Sequence, residues 1–173
     1  ETVVAAARER GVPSLVDPKH RDLSRYRGAV VATPNRVEAE AACGCALPDL
    51  EALQEHGPKL LAESGLEALL VTLGAEGMFL LRKESTALHL PTAARQVYDV
   101  TGAGDTVIAT LAVALGGGLE WEASVRLANA AAGLAVAKVG TAAVGREELL
   151  HHLSAATPVH KIVPCDDSEA LAT

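Results

Sequence analysis

The run Thr101-Gly102-Ala103-Gly104-Asp105 sets two glycines one residue apart just before an acid, at the head of a long stretch of small and apolar residues. That stretch reads as a helix from near Gly102 to about Leu115. The first amides of a helix lack internal acceptors, and together with the helix dipole they form a site for an anion. Glycine there lets a phosphate reach the backbone with no side chain in between. An acid at that place is not a phosphate ligand, because like charges repel. Asp105 instead suits removal of a proton from a hydroxyl that then attacks phosphorus, which makes it a candidate general base in phosphoryl transfer. The plainer alternative is a carboxylate that only stabilises the helix start. Spacing excludes two other phosphate-binding patterns. A dinucleotide fingerprint needs a third glycine where Val107 stands, and the Gly-Lys-Ser/Thr of a P-loop occurs nowhere.

The elements that must hold this helix alternate in type. Short apolar runs at Pro13–Val16, Ala29–Ala32, Leu69–Leu73, Met78–Leu81 and Thr86–Leu90 read as strands. Glu1–Arg10, Asn35–Cys43, Leu50–Ser64, Glu122–Ala137 and Arg146–Leu153 read as further helices. Alternating strands and helices predict an α/β fold with a mostly parallel central sheet flanked by helices. No internal repeat or low-complexity segment interrupts it. The helix at Glu1–Arg10 has no initiating Met before it, and the reading is of a partial domain whose N-terminal portion precedes Glu1.

Composition narrows the function classes. Of 173 residues, 49% are apolar but only 2% aromatic, so the core is built from Ala, Val and Leu and stacking platforms for single-stranded nucleic acid are not expected. A net charge of −7 disfavours a general polyanion surface but leaves room for a local phosphate site. No stretch reaches the roughly 18 apolar residues that span a bilayer. The cysteines, Cys43, Cys45 and Cys165, suit reduced thiols in a cytoplasmic protein, and one intervening residue is poor spacing for a zinc clamp or redox pair. His151-His152 lacks a metal-binding pattern around it and reads as a solvated pair.

With Asp99 separated from Gly102 by two residues, the string Tyr98-Asp99-Val100-Thr101-Gly102-Ala103-Gly104-Asp105-Thr106 resembles the signature of the PfkB (ribokinase-like) carbohydrate kinases, and the resemblance runs from about Val12 to Leu153. The resemblance implies a ribokinase-like fold and ATP-dependent phosphorylation of a sugar, with Asp105 as base and Gly102, Ala103 and Gly104 forming the anion hole. Thr33-Pro34-Asn35-Arg36-Val37-Glu38 matches the family's Asn-x-x-Glu motif. By that resemblance Asn35 and Glu38 act near Mg²⁺ and the phosphates, Glu38 through water; otherwise Glu38 is a solvated helix charge. Val71-Thr72-Leu73-Gly74-Ala75-Glu76-Gly77 matches the strand-turn that contacts ATP, with Thr72, Gly74 and Gly77 as its binding residues. Asn129 falls where the family lines the adenine pocket, or is simply packed between helices. A monovalent cation, K⁺ in several relatives, would sit near Asp99, Thr101, Ala135, Lys138 and Gly140, while Val144 stands where relatives offer a hydroxyl. Lys19 either reaches the phosphates or is a surface lysine.

Within the family, the strings Val16-Asp17-Pro18-Lys19, Tyr26-Arg27-Gly28-Ala29, Leu88-His89-Leu90-Pro91-Thr92, Val97-Tyr98-Asp99-Val100-Thr101 and Lys138-Val139-Gly140-Thr141 resemble the heptose 7-phosphate kinase domain of bifunctional ADP-heptose synthesis proteins. That implies phosphorylation at C1 of D-glycero-D-manno-heptose 7-phosphate for lipopolysaccharide. Residues 1–157 would be the C-terminal, nucleotide-binding and catalytic part of the kinase domain. Residues 158–173, with Lys161-Ile162-Val163-Pro164, would be a linker toward a nucleotidyltransferase domain. The expected partners are the sugar phosphate and ATP, with no nucleic acid or membrane, and the resemblance allows a homodimer. Two rival readings are a kinase for ribose, fructose phosphate or a nucleoside, and a nucleotide-binding module without activity of its own.

Overall fold

A computed structural model of the chain describes residues 2–83, 85–94, 98–140 and 143–156. The helix α1 (Thr2–Glu9) leads to β1 (Leu15–Val16), a short 3-10 turn at Leu23–Tyr26 and β2 (Val31–Ala32). Then come α2 (Arg36–Cys43), α3 (Leu50–Ser64), β3 (Ala68–Thr72), β4 (Met78–Arg82) and β5 (Leu88–Leu90). The chain closes on α4 (Ala103–Gly116), α5 (Trp121–Val136) and α6 (Arg146–Ala156). The expected linker at 158–173 lies outside the described residues, as do Val97 and Thr141 of the matching strings.

The sheet runs β1-β2-β3-β4-β5. The first three strands are parallel, but β4 and β5 each pair antiparallel with the strand before, so the sheet is mixed rather than mostly parallel. The reason is local. The turn Gly74–Glu76 is too short for a crossover, so β4 must return alongside β3. The strands β1 and β2 are also shorter than their apolar runs, two residues each.

Alternation along β3 and β4 divides the core into two layers. Leu69, Val71, Phe79 and Leu81 point into the cluster under α2 and α3. Ala68, Leu70, Met78 and Leu80 point into the cluster under α4 and α5. Strands with apolar residues on both faces are what a sheet covered on both sides requires. The residues Ala128, Ala130, Ala131, Ala132 and Gly133 of α5 are all buried, and their small size lets helix and sheet approach closely.

Register carries the design to the site. The residues Val31 and Ala32 lie level with Ala68 and Leu69, and the same offset makes Asn35 bridge to Thr72 beyond the end of β2. The Thr72 N–H donates to Pro34 O at 2.9 Å. A slip of one residue would turn these side chains to the opposite faces.

Candidate active site

Two cavities open at the carboxyl ends of the parallel strands, where open α/β sheets bind ligands. The smaller, about 220 Å³, is polar and lined by Asp17, Lys19, Thr33, Asn35, Glu38, Thr72, Gly102, Gly104 and Asp105. The larger, about 480 Å³, has a mainly apolar lining that includes Thr72, Gly74, Gly77, Ala103, Gly104 and Asn129. Both include Thr72 and Gly104 in their walls, so the cavities adjoin there. Every residue assigned above to catalysis or nucleotide binding lines one cavity or the other. Asp17, to which the sequence assigns no role, also lines the smaller cavity; its place directly after the strand run ending at Val16 is the signal for it.

Glycine starts α4. Gly102 is its cap, at φ 79°, and no side chain caps the helix. The first intrahelical bond runs from Thr106 N to Gly102 O at 2.9 Å. The Ala103 N–H donates to Val100 O at 3.2 Å, closing a tight turn, so it is not among the open donors expected of an anion hole. The amides of Gly104 and Asp105 have no partner among the described residues. A Cβ built on Gly104 would meet no other protein atom within 4 Å, so the position faces open space.

The residues Asn35 and Glu38 make a capping box on α2. Asn35 Oδ1 accepts from the Glu38 amide at 2.9 Å and Glu38 Oε2 accepts from the Asn35 amide at 2.8 Å. This leaves Glu38 Oε1 facing Lys19, whose Nζ lies 3.9 Å away and 2.7 Å from Asp17 Oδ2. The hydrogen bond to Asp17 raises the Lys19 pKa against the desolvation that lowers it, and the charges of Asp17, Glu38 and Asp105 raise it further. Three carboxylates thus face one ammonium around the small cavity, a formal excess of negative charge that would repel a phosphate arriving without a cation. Among the described residues no group of three or more His, Cys, Asp or Glu side chains is disposed to hold a metal directly. The donor set fits a Mg²⁺ that keeps its waters and is carried in with phosphates.

Backbone crowding shapes the larger cavity. Gly77 has φ 92°, and a Cβ there would lie 2.0 Å from Leu90 O and 2.6 Å from Pro91 C, so its glycine serves the packing of the turn against the end of β5. Gly74, by contrast, faces open space. The turn between them is held from two sides. Arg36 Nη2 lies 2.7 Å from Glu76 Oε1, and His89 Nε2 lies 2.8 Å from Glu76 O. Asn129 is both wall and strut, since its Nδ2 donates to Pro91 O at 2.7 Å.

Asp99 and Thr101 line neither cavity. Asp99 Oδ1 accepts from the Thr101 amide at 2.9 Å and Oδ2 from the Gly140 amide at 3.2 Å, tying the entry of α4 to the end of α5. Hydrogen bonding by the Thr101 side chain, then by the Thr101 amide and the Gly140 amide, holds the Asp99 carboxyl below the usual range against its desolvation. Lys138 turns elsewhere, donating to Ala143 O at 2.9 Å and pairing with Glu148 at 2.7 Å. His151 is exposed and His152 half-buried on α6. No helix among the described residues is long and apolar enough to cross a membrane.

A family model described as pfkB family carbohydrate kinase matches residues 1–148. The chain is 52% identical over 151 residues to the bifunctional protein HldE of Geobacter sulfurreducens, covering 87% of this chain and 31% of that protein. To the bifunctional protein HldE of Pseudomonas syringae it is 52% identical over 149 residues, 86% of this chain and 31% of the relative. Among solved structures it superposes on an Arabidopsis thaliana ribokinase complexed with ribose and ATP, with TM-score 0.80 and 30% identity over 87% of this chain and 50% of that one. A ribokinase from Thermotoga maritima matches at TM-score 0.75 and 29% identity, over 89% of this chain and 53% of that one. The chain thus spans about a third of the curated relatives it matches and half of the first solved structure.

Proposed function

Because this chain belongs to the pfkB family of carbohydrate kinases, we propose that it binds ATP in the apolar cavity and carries the catalytic base for phosphoryl transfer to a sugar hydroxyl in the polar one. The observation that supports this most is the junction of the two cavities at Thr72 and Gly104, with Asp105 on the polar side. A cavity of about 480 Å³ is within the range of small-molecule sites and takes a base and ribose. The triphosphate then runs past Gly104, where the first turn of α4 offers its amides.

In this reading Asp105 accepts the proton of the attacking hydroxyl. The oxygen forms its bond to the γ-phosphorus as the bond to ADP breaks. The Gly104 and Asp105 amides stabilise charge on the group in transit, and one preorganised donor of this kind contributes about 3 kcal/mol. Bound Mg²⁺ supplies charge neutralisation of the phosphates, and Asn35, Glu38 and Asp17 would hold its water shell. A K⁺ ion beside the anion site would rest on carbonyls of the turn that Asp99 pins to Gly140. Lys19 stands where it reaches a phosphate on entry, exchanging Asp17 for the ligand.

For the acceptor, the likeness to bifunctional HldE proteins favours C1 of heptose 7-phosphate over ribose or fructose phosphate. The test has two arms. Calorimetry measures ATP binding with Mg²⁺, and a panel of heptose 7-phosphate, ribose and fructose 6-phosphate measures transfer. Asp105→Asn should lose turnover by about a hundredfold or more while keeping nucleotide affinity. Near-normal transfer by that variant refutes the base assignment. ATP binding with no acceptor phosphorylated would leave the nucleotide-binding module as the better reading.

A further inference from the structure

The residues Cys43 and Cys45 stand apart from both cavities, yet their sulfurs lie 2.8 Å from each other. The reason is local geometry. Cys43 ends α2, and Gly44 turns the chain at φ 72° while its N–H caps Glu40 O at 2.8 Å. That turn brings side chains two residues apart onto one side. Both cysteines are free and half-buried against the α3 side of the core. A movement of under 1 Å would bring the sulfurs to a disulfide bond of about 2.05 Å.

The loop beyond them reaches the nucleotide turn through three bonds. Glu40 Oε1 accepts from the Leu47 amide at 2.8 Å, Arg36 Nη1 donates to Leu47 O at 2.6 Å, and Arg36 Nη2 pairs with Glu76 at 2.7 Å. Glu76 belongs to the turn whose Gly74, Ala75 and Gly77 line the large cavity. Leu47 is itself buried, so displacement of its backbone is felt by Arg36.

We infer that Cys43 and Cys45 form a dithiol–disulfide modification site, oxidised by exchange with a small-molecule disulfide, whose closure loosens the nucleotide turn through Leu47, Arg36 and Glu76. The exchange balances without another reagent. Cys45, as thiolate, attacks one sulfur of the small disulfide, that S–S bond breaks, and one small thiol leaves. Cys43 then gives its proton to solvent and attacks Cys45 Sγ, and the second small thiol departs. Two protein thiols are oxidised and one disulfide is reduced to two thiols. Burial and the neighbouring sulfur push the Cys43 thiol up to about 11, so Cys45 makes the first attack and the closing step by Cys43 is faster at alkaline pH.

The experiment uses the chain with Cys165→Ser, treated with oxidised glutathione. Trypsin releases both thiols together in the peptide 37–59. The expected result is loss of two hydrogens from that peptide, no retained glutathione, and reversal by dithiothreitol. If both thiols stay open to alkylation, or the product stops as a glutathione adduct, the site is refuted. ATP affinity should fall about fivefold or more on oxidation, and not at all in Cys43→Ser. A disulfide that forms without changing ATP affinity overturns the coupling through Arg36. The affinity readout rests on the proposed nucleotide site and the peptide mass does not. A reduced chain that fails to bind ATP therefore counts against the functional proposal, while the mass still decides the cysteine site.

Discussion

Gly104→Ala places one methyl group at the junction of the two cavities. Its Cβ would meet no other protein atom within 4 Å, and the residue already has helical backbone in the first turn of α4, so the folded chain accommodates it without strain. Alanine also has less freedom to lose on folding than glycine, worth up to about 1 kcal/mol in a helix. For a chain of this size that raises the melting temperature by roughly 2–4 °C. The ligand meets the opposite effect. The methyl occupies the space through which a phosphate approaches the amide, and loss of one preorganised donor costs about 3 kcal/mol, on the order of a hundredfold in transfer rate. Thermal unfolding without nucleotide, ATP calorimetry and an acceptor assay read the two effects separately. The expected result is a chain that melts no lower than the wild type, binds ATP more weakly and turns over far more slowly. Wild-type ATP affinity and transfer would refute the placement of the phosphates at this amide. A large drop in melting temperature would refute the open-space reading.

The control for that experiment is Gly77→Ala. Its methyl meets Leu90 O and Pro91 C at positive φ, so destabilisation of about 3 kcal/mol or more is expected in a urea melt. Glu38→Gln keeps an oxygen for the Asn35 amide but removes the charge. It should melt close to the wild type while needing more Mg²⁺ for half-maximal activity, whereas Glu38→Ala should also lose about 1 kcal/mol of helix capping. Arg36→Ala frees the Leu47 carbonyl and the Glu76 turn; a loss of about 1–3 kcal/mol is expected for the charge-assisted bond to Leu47, with little from the exposed half of the ion pair. The Cys43 pKa is raised in the fold from 9.0 to about 11. Its contribution to stability is therefore present below about pH 9 and lost as pH climbs through about 11. Alkylation rates should show the native Cys43 lagging the urea-unfolded thiol at pH 9, and equal rates would refute the burial.

Much of this protein was legible in the residues alone. The alternation of apolar runs and helices gave the α/β class, because periodicity reports which face is buried. The glycines and acid at 102–105 pointed to an anion site beside a base, because free helix amides are a local property of any helix start. The string Asn35-Arg36-Val37-Glu38 was legible as a motif near the phosphates, while its capping box came only with the structure, although those bonds lie within one turn. What the chain alone did not determine depends on neighbours distant in sequence. The hairpin β3–β4 made the sheet mixed. The β2–β3 register set Asn35 level with Thr72 and so brought the two motifs to one cavity. Only the packed structure turned Lys19 toward Asp17 and Glu38, assigned Gly77 to the backbone of residues 90–92, took the Ala103 amide out of the anion site, and seated two thiols in contact where their spacing had argued against a redox pair. The Lys19–Glu38 and Gly77 contacts join segments distant in sequence and are set by tertiary packing, while the Ala103 bond and the thiol contact come from local turns whose conformation the residue types alone did not fix.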